Sequence, residues 1–289
     1  MTGILVVNKP MDYTSHDVIA ILKGITGEKK IGHTGTLDPN ATGVLPVCFG
    51  KATRLIEYME VTPKTYVCRA RLGITSNTDD IWGELSEPKQ FEFPSQEKTE
   101  EILKSFLGDI EQIPPMYSAV RVNGRRLYSY ARSGESVELK PRAVKIYNIS
   151  LTGFYPCQGE IVFSVCCSRG TYIRTICKDI GEKLGCGAVM SSLVRSNQSG
   201  FDISESYDFE ELRKMSEADI EKLLIPIDRA ISSLDKLSLD KEDCSKFRNG
   251  MTLINYGDDT KSLAVLDDGE LIGIADRIKN RLKPVKVFN

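Results

Sequence analysis

The stretch "GHTGTLDPNATGVLPVCFGKATR" (residues 32–54) holds His33, one of two histidines in the chain, and a single carboxylate, Asp38. Glycines and turn-forming residues surround both side chains, and Pro39 biases the backbone of Asp38 to the extended region. The Asp-Pro-Asn run begins a turn, so one interpretation is that Asp38 does no more than cap that turn. The alternative is a carboxylate on a rigid, accessible loop that acts as nucleophile or base. His33 leaves a similar choice open, between a structural role and a role as base or hydrogen-bonding wedge.

The chain as a whole has the composition of a soluble globular protein. Its 289 residues suit one large or two smaller domains, and 41% are hydrophobic against 27% charged. No apolar run approaches the roughly 18 residues that a membrane span needs. The start, MTGILVVNKP, lacks the basic region and long apolar stretch of a signal peptide. We therefore expect a cytoplasmic protein without membrane contact.

Eight cysteines are spread through the chain at irregular spacing, and none forms a C-x-x-C pair. Most stand in apolar patterns such as IVFSVCC (161–167), which favours buried thiols over a disulfide framework. Because His16 and His33 are the only imidazoles, a zinc site is not expected. The sequence also lacks G-x-G-x-x-G and Walker patterns, which argues against a nucleotide cofactor.

Charge is unevenly distributed, although the net charge is only −2. Residues 115–200 carry twelve Lys and Arg against five Asp and Glu, whereas residues 76–112 and 201–235 carry an excess of acid. Such a basic block indicates a surface for a polyanion such as nucleic acid. A solvated face with chance clustering explains the same counts, so charge alone does not choose between these interpretations.

Alternating and helical periodicities predict a mixed α+β chain. The segment KTYVCRARLG (64–73) alternates and predicts a strand with Tyr66 on one face. Asn123-Gly124 is a strong signal for a hairpin turn. Strands come in runs joined by such turns, so a doubly wound parallel sheet is not expected. Caps and periodicity predict, among others, one helix capped by Thr14 or Ser15, one ending at Gly108, and one capped by Thr171.

The segment SRGTYIRT (168–175) is a second candidate functional stretch. Arg169 and Gly170 precede a predicted helix, and such a helix start can hold a phosphate. Tyr172 and Arg174 join a stacking ring to a planar cation, as RNA-binding surfaces do. The alternative is an ordinary helix start with a core tyrosine and a surface arginine.

Several segments together resemble one known family. The stretch at 32–54 looks like the catalytic motif of the TruB family of tRNA pseudouridine synthases. Further segments match that family in the same order and at compatible distances: NKP (8–10), KTY (64–66), PPMYSA (114–119), SRGTYIR (168–174) and SSLVRSNQSGF (191–201). The resemblance covers about residues 3 to 230 and is closest to the stand-alone bacterial members. The archaeal and eukaryotic relatives that work in guide-RNA particles usually carry longer extensions.

The resemblance implies both a fold and a reaction. The fold is α+β, with a mixed, largely antiparallel sheet and flanking helices in a catalytic domain at 1–233 that includes T-arm-binding insertions. The reaction is isomerisation of uridine 55 in the TΨC loop of tRNA to pseudouridine, by base flipping and by cleavage and re-formation of the glycosidic bond. The reaction uses neither cofactor nor metal. The resemblance also implies a monomer that needs tRNA but no protein partner. Residues 234–289 resemble, more loosely, the small β-rich RNA-binding PUA module, unless this tail merely packs on the catalytic domain.

The resemblance also assigns roles to individual residues. Asp38 falls on the catalytic aspartate, whose first step stays open between attack at C1′, addition to the uracil ring and removal of the C2′ proton. The substrate-binding positions are His33, which enters the T-loop and helps displace the target nucleotide, Tyr66, which packs against the flipped base, Arg174, which pairs with the aspartate, and Tyr172 and Leu193, which line the pocket. Lys9 is expected to support the pocket, and Asp80 matches an acidic position whose role is less defined.

Two departures and two alternatives accompany this interpretation. Arg121 stands where many members have lysine, and Val194 stands where a basic residue is common, next to Arg195. The first alternative is another RNA-modifying enzyme on the same scaffold, or a synthase for a different uridine. The second is an RNA-binding or tRNA-folding chaperone whose catalytic residues are incidental, a role that can also coexist with catalysis.

Overall fold

The computed structural model describes residues 1–118 and 120–288. Ala119, which belongs to the PPMYSA segment, and Asn289 lie outside the described residues. The strands in the two described ranges are β1 (Gly3–Lys9), β2 (Ile31–His33), β3 (Thr42–Phe49), β4 (Lys64–Leu72), β5 (Gly108–Gln112), β6 (Arg121–Val122), β7 (Arg125–Arg126), β8 (Arg142–Tyr155), β9 (Glu160–Cys167), β10 (Ala188–Gln198), β11 (Phe201–Asp202), β12 (Tyr207–Asp208), β13 (Lys236–Ser238), β14 (Leu253–Ile254), β15 (Thr260–Asp267), β16 (Glu270–Ile278) and β17 (Arg281–Val287).

The α-helices in the same ranges are α1 (Ser15–Thr26), α2 (Ile56–Glu60), α3 (Gln96–Lys104), α4 (Leu127–Arg132), α5 (Ile173–Leu184), α6 (Phe209–Leu212), α7 (Glu217–Lys222) and α8 (Lys241–Arg248). The first helix begins where its cap predicts. The Thr14 hydroxyl accepts a hydrogen bond from the Asp17 backbone N–H, and the Asp17 carboxylate accepts one from the Thr14 N–H. Gly27 then ends α1 in the left-handed conformation.

The chain divides into two compact units. The first comprises Met1–Pro39, Leu45–Thr62 and the chain from Ser204 onward, and the second comprises Asn40–Val44 and Pro63–Ile203. In the first unit the strands follow the order β12-β1-β3, with β2 beside β3. In the second unit the order is β3-β10-β4-β9-β8-β5, with β11 beside β10. The strand β3 contributes to both units because it begins in the second and continues in the first.

Strand directions confirm the predicted α+β class with a mixed, largely antiparallel sheet. The pairs β1–β12 and β3–β10 are parallel. The antiparallel pairs are β2–β3, β10–β11, β10–β4, β4–β9, β8–β9 and β5–β8. In the first unit α1 packs against this sheet through a buried apolar cluster that consists of Leu5, Val7, Val18, Ile19, Leu22, Leu45, Val47, Phe49, Phe209, Leu212 and Ile220.

The last part of the first unit carries a second sheet of five strands, in the order β13-β15-β16-β17-β14. A hairpin turn at Asp268 and Gly269, both with positive φ, links β15 to β16. Beneath this sheet lies a separate apolar cluster, formed by Leu239, Cys244, Phe247, Leu253, Leu263, Val265, Ile272, Ala275 and Leu282.

Two of the predicted helix boundaries are wrong. The helix α3 ends at Lys104, and Gly108 instead begins β5. The N-cap of α5 is Tyr172 and not Thr171, whose hydroxyl donates to the Ser168 carbonyl within the preceding turn. The Asn123-Gly124 hairpin is confirmed, with both residues at positive φ between β6 and β7.

All eight cysteines are free thiols, and six of them are buried as predicted. The other two are Cys157, which is exposed in the turn between β8 and β9, and Cys166, which is half-buried. Burial raises the pKa of the Cys48 and Cys167 thiols to about 12. Among the described helices, none is both long enough and apolar enough to cross a membrane.

Candidate active site

Hydrogen bonds from backbone atoms hold the loop that carries Asp38, on both sides of that residue. Before it, the Leu37 N–H donates to the Ser15 hydroxyl at 2.9 Å, and Leu37 itself is buried. After it, the Pro39 carbonyl accepts the backbone N–H of Asp12 at 3.0 Å. Asp38 is exposed between these two anchors. The first unit therefore presents this carboxylate on a loop whose neighbouring residues are fixed.

Lys9 and His33 belong to the same unit as Asp38. The ammonium of Lys9 is fully buried and donates to the carbonyls of Pro10, Tyr13 and Pro39, at distances between 2.6 and 3.0 Å. Those contacts support the backbone of the Asp38 loop, which is the kind of role predicted for Lys9. His33 is half-buried at the end of β2, opposite Val47 of β3.

Gly43, at the other end of the quoted stretch, lies in the second unit and makes a close backbone contact. It has a φ of +102°, and a Cβ on it would lie 2.3 Å from the Arg195 carbonyl oxygen. Thr42 and Gly43 pair in parallel with Val194 and Arg195 of β10. A side chain at position 43 would therefore prevent β3 from pairing with β10.

Tyr66 and Leu193 lie on one face of the sheet in the second unit. The alternation predicted for β4 is confirmed, since Tyr66 and Cys68 are both buried. Tyr66 is directly opposite Arg195 of β10, and Cys68 is directly opposite Leu193. Residues directly opposite each other in adjacent strands share a face. The sequence-predicted tyrosine and leucine are thus diagonal neighbours.

Helix α5 covers this same face and brings Arg174 to it. The sulfur atoms of Cys177 in α5 and Cys68 in β4 are 3.4 Å apart. Arg174 precedes Cys177 by three residues and therefore lies on the same side of the helix. Its side chain is buried, so the alternative of a surface arginine is wrong.

The guanidinium of Arg174 contacts one carboxylate and two backbone carbonyls. Its Nη1 lies 3.5 Å from the Asp80 carboxylate and donates to the Thr78 carbonyl at 3.1 Å. Its Nη2 donates to the Tyr117 carbonyl at 3.0 Å. Asp80 in turn accepts hydrogen bonds from the Thr78 hydroxyl and the Trp82 N–H. The structure therefore places Asp80 beside Arg174, whereas the expected pairing of Arg174 with Asp38 stays a prediction.

Tyr172 is fixed through its backbone by Gln112, a residue that sequence reasoning missed. The Gln112 side chain accepts the Tyr172 N–H at 3.0 Å and donates to the Tyr172 carbonyl at 3.3 Å. Arg195 was also missed as a functional candidate and was noted only as a neighbour of Val194. Burial lowers the pKa of its guanidinium, while a hydrogen bond with Tyr66 acts in the opposite direction. The sequence contains no local signal for either residue, because both act on partners far along the chain.

Aromatic and basic side chains alternate on the segment from β6 to α4, which we call the hairpin cluster (121–132). The Arg125 guanidinium lies 4.5 Å from the centre of the Tyr130 ring. Arg126 and Arg132 both lie within 6 Å of the Tyr128 ring. Cation–π contacts of this kind keep arginines and rings side by side at a surface. The hairpin cluster contains four of the twelve Lys and Arg residues that make up the basic block.

Metal-binding side chains do not gather near these residues. Throughout 1–118 and 120–288, no three His, Cys, Asp or Glu side chains are grouped as ligands for one ion. The expectation that the reaction uses no cofactor stays a prediction.

Two family models match consecutive parts of the chain. The TruB family pseudouridylate synthase N-terminal domain matches residues 23–173, and the tRNA pseudouridylate synthase B C-terminal domain matches residues 174–232. Similar curated proteins carry the name tRNA pseudouridine synthase B. One from Streptococcus pneumoniae is 41% identical over 293 residues and covers 100% of both chains. One from Alkaliphilus oremlandii is 42% identical over 261 residues, which is 90% of this chain and 86% of the relative.

A solved structure described as a Cbf5-Nop10-Gar1 complex shares the fold. It superposes with a TM-score of 0.75 at 26% identity, covering 99% of this chain and 84% of the solved one. The family models together span most of the sequence and include the Asp38 loop, Tyr66, Arg174 and Leu193. The chain therefore belongs to the TruB family of tRNA pseudouridine synthases.

Proposed function

We propose that this enzyme isomerises uridine 55 in the TΨC loop of tRNA to pseudouridine, with Asp38 as its one catalytic carboxylate. The observation that carries the proposal is the anchored, exposed Asp38 within a sequence whose full-length relatives are named tRNA pseudouridine synthase B. In the reaction the C1′–N1 bond breaks, the base rotates, and a C1′–C5 bond forms; C5 loses its proton to solvent and N1 gains one, so that substrate and product are isomers. Attack at C1′, addition to the ring and removal of the C2′ proton all use the ionised carboxylate.

The target base must leave its stack before it can react. Extrusion of a base costs a few kcal/mol, and stacking on an aromatic ring returns about 1–3 kcal/mol per base. We assign the stacking to Tyr66, with Tyr172 and Leu193 lining the pocket, and the displacement of the nucleotide to His33. We assign to Arg174, which is held by Asp80 and two carbonyls, a fixed positive charge that pairs with Asp38.

The basic block (115–200) then binds the phosphate backbone of the T-arm. The hairpin cluster (121–132) offers arginines beside tyrosine rings, a combination suited to phosphates and unstacked bases. The substitution of lysine by Arg121 keeps a cation at the start of that segment. Solved relatives such as the Cbf5-Nop10-Gar1 complex contain partner proteins. For this chain we propose that a monomer acts on tRNA without a protein partner. We propose the cytoplasm as its location.

The carboxyl-terminal strands are proposed to form an RNA-binding module of the PUA type. The five-stranded sheet has its own apolar cluster, which supports a separate module at about 234–289. In this interpretation residues 1–233 carry the chemistry, while the module adds tRNA contacts.

The decisive experiment measures tritium release from unmodified tRNA labelled with 5-tritiated uridine. The wild-type chain should release one tritium per tRNA, and cytidine at position 55 should abolish that release. Asp38→Asn should slow the single-turnover rate at least about a thousandfold while tRNA still binds. The matched control is Asp12→Asn, because Asp12 is an exposed acid whose backbone contacts the same loop.

Other outcomes identify the competing functions. Substantial turnover by Asp38→Asn would refute the proposed catalytic role. Release from the tRNA with cytidine at position 55 would indicate a different uridine. Binding and refolding of tRNA without any release would favour a chaperone. Tyr66→Phe should retain stacking and more activity than Tyr66→Ala, and equal rates in these two variants would remove the stacking role of Tyr66.

A further inference from the structure

Arg195 is among the largest fully buried side chains in the described part of the chain. A buried guanidinium loses its hydration, so an apolar side chain of similar volume would fill the space at lower cost. Its Nε donates to the Val44 carbonyl at 2.8 Å, and the Tyr66 hydroxyl is also a hydrogen-bond partner of the guanidinium. These contacts give the charged head a defined orientation.

The backbone of Arg195 also occupies a central place in the sheet of the second unit. It pairs with Gly43 in β3 on one side and with Tyr66 in β4 on the other. The contact with Gly43 is so close that a Cβ there would collide with the Arg195 carbonyl. The backbone from which the guanidinium extends is therefore fixed in register with the strand that carries Tyr66.

Tyr66 is confined from two neighbouring strands. Arg195 lies opposite it in β10, and Val165 lies opposite it in β9. All three side chains point to the same face of the sheet and are buried. An apolar neighbour limits where the ring can move, but it cannot hold the polar end of a phenol. A directional hydrogen bond can do so, because its strength depends on geometry.

We propose that Arg195 is a positioning residue for the reaction: its guanidinium holds the Tyr66 hydroxyl and so orients the ring against the target uracil. This inference rests on the proposed function, because it assumes that Tyr66 contacts the nucleotide. Arginine suits the task better than lysine. A planar guanidinium can donate to the Val44 carbonyl through Nε while another N–H group faces Tyr66, whereas an ammonium has neither the reach nor the fixed fork.

A double-mutant cycle tests the coupling between the two residues. Arg195→Lys, Tyr66→Phe and the double variant are compared with the wild type by single-turnover rate and by the Kd of a T-arm stem-loop. Arg195→Lys should lower the rate about tenfold with the hydroxyl present but less than about twofold in the Tyr66→Phe background. The Kd should change less than about twofold throughout, because ring orientation acts after the RNA has bound. Equal rate losses in both backgrounds, or no loss in either, would overturn the positioning role.

A spectroscopic measurement on the folded wild type covers the case in which Arg195→Lys fails to fold. The protein is labelled with tyrosine carrying ¹³C at Cζ, and Tyr66→Phe and Tyr147→Phe assign the two relevant resonances. Tyr147 is 50% exposed and serves as the solvated reference. The Tyr66 Cζ resonance should differ from that of Tyr147, because its hydroxyl bonds to a guanidinium. Coincident resonances would contradict the proposed contact.

The two proposals fail in distinguishable ways. Loss of the proposed function would appear as tritium release by Asp38→Asn or as no release by the wild type, and the positioning role would fall with it. If Asp38→Asn is inactive but the cycle shows no coupling, the function stands and only the role of Arg195 is refuted.

Discussion

The guanidinium of Arg174 lies 3.5 Å from the carboxylate of Asp80, and both side chains are largely shielded from water. The guanidinium also donates to the carbonyl oxygens of Thr78 and Tyr117. Asp80 thus places a negative charge beside the buried guanidinium. This relationship fixes Arg174 on the face of the sheet that Tyr66 and Leu193 share.

Asp80→Asn should destabilise the fold by about 1–3 kcal/mol, because it removes a charged partner from a buried guanidinium that keeps its two carbonyl acceptors. Urea unfolding measures the loss, and the single-turnover rate should fall as well. The matched control is Asp79→Asn. Burial raises the pKa of Asp79, so its amide should be neutral or stabilising. Equal effects of the two amides would remove the special role of Asp80.

Gly43→Ala should be far more damaging than alanine at an unobstructed glycine. Its Cβ would lie 2.3 Å from the Arg195 carbonyl oxygen. Gly134 also has a positive φ, but nothing lies within 4 Å of a Cβ placed there. Gly134→Ala should cost about 1 kcal/mol in urea unfolding, and Gly43→Ala at least about 2 kcal/mol more, because backbone must move. Similar losses at both positions would mean that β3 and β10 can separate without penalty.

Asp179 should make stability depend on pH in mildly acidic solution. Burial, reinforced by Glu182 and opposed by Lys178, raises the pKa of Asp179 from 3.8 to about 6. The folded state therefore holds the proton more tightly than the unfolded state, and stability falls as pH rises from about 4 to about 6. Asp179→Asn should raise the Tm at pH 8, with the gain shrinking toward pH 4.

The control for Asp179 is an exposed acid, Glu221, replaced by glutamine. Thermal unfolding between pH 4 and pH 8 compares the two variants with the wild type. The difference between Asp179→Asn and wild type should vary with pH, whereas that of Glu221→Gln should not. A gain that persists unchanged at pH 4 would show that the carboxyl group acts through packing and not through its charge.

Removal of residues 236–289 should weaken tRNA binding more than it slows the reaction of bound tRNA. We expect the Kd to rise at least about tenfold, since basic contacts are lost, while the saturated single-turnover rate changes less than about threefold. Filter binding and tritium release measure the two effects. Arg54→Ala is the control, because it removes the contacts of the Arg54 guanidinium with the Val287 carbonyl and the Phe288 ring but leaves the tail in place. A rate that falls as steeply as binding would indicate a tail that supports the catalytic domain.

Local sequence signals predicted the elements that depend on local interactions. The capping box at Thr14 starts α1, the Asn123-Gly124 turn closes its hairpin, and the alternation around Tyr66 gives β4 its buried face. The exceptions are boundaries. The helix α5 begins after Tyr172 because Thr171 uses its hydroxyl within the preceding turn, and Gln112 satisfies the backbone of Tyr172 from 60 residues away.

The residues of the candidate site also fall into those found from the sequence and those found only from the structure. Resemblance to a family selected Asp38, Tyr66, Arg174 and Leu193 from the sequence, and no physical property of those short segments could have done so alone. Arg195 carried no local signal, because a buried arginine and an exposed one look alike in a strand sequence. Its importance emerges only when β10 is placed between β3 and β4.

The sequence by itself determined the composition class, several helices and strands, and the family to which the chain belongs. These depend on periodicity, caps, turns and short motifs that extend over a few residues. The tertiary structure alone decided that Asp80, Thr78 and Tyr117 hold Arg174, and that Arg195 faces Tyr66. The partners of Arg174 lie between 57 and 96 residues away along the chain. Such contacts depend on strand order and register, which local propensity does not encode.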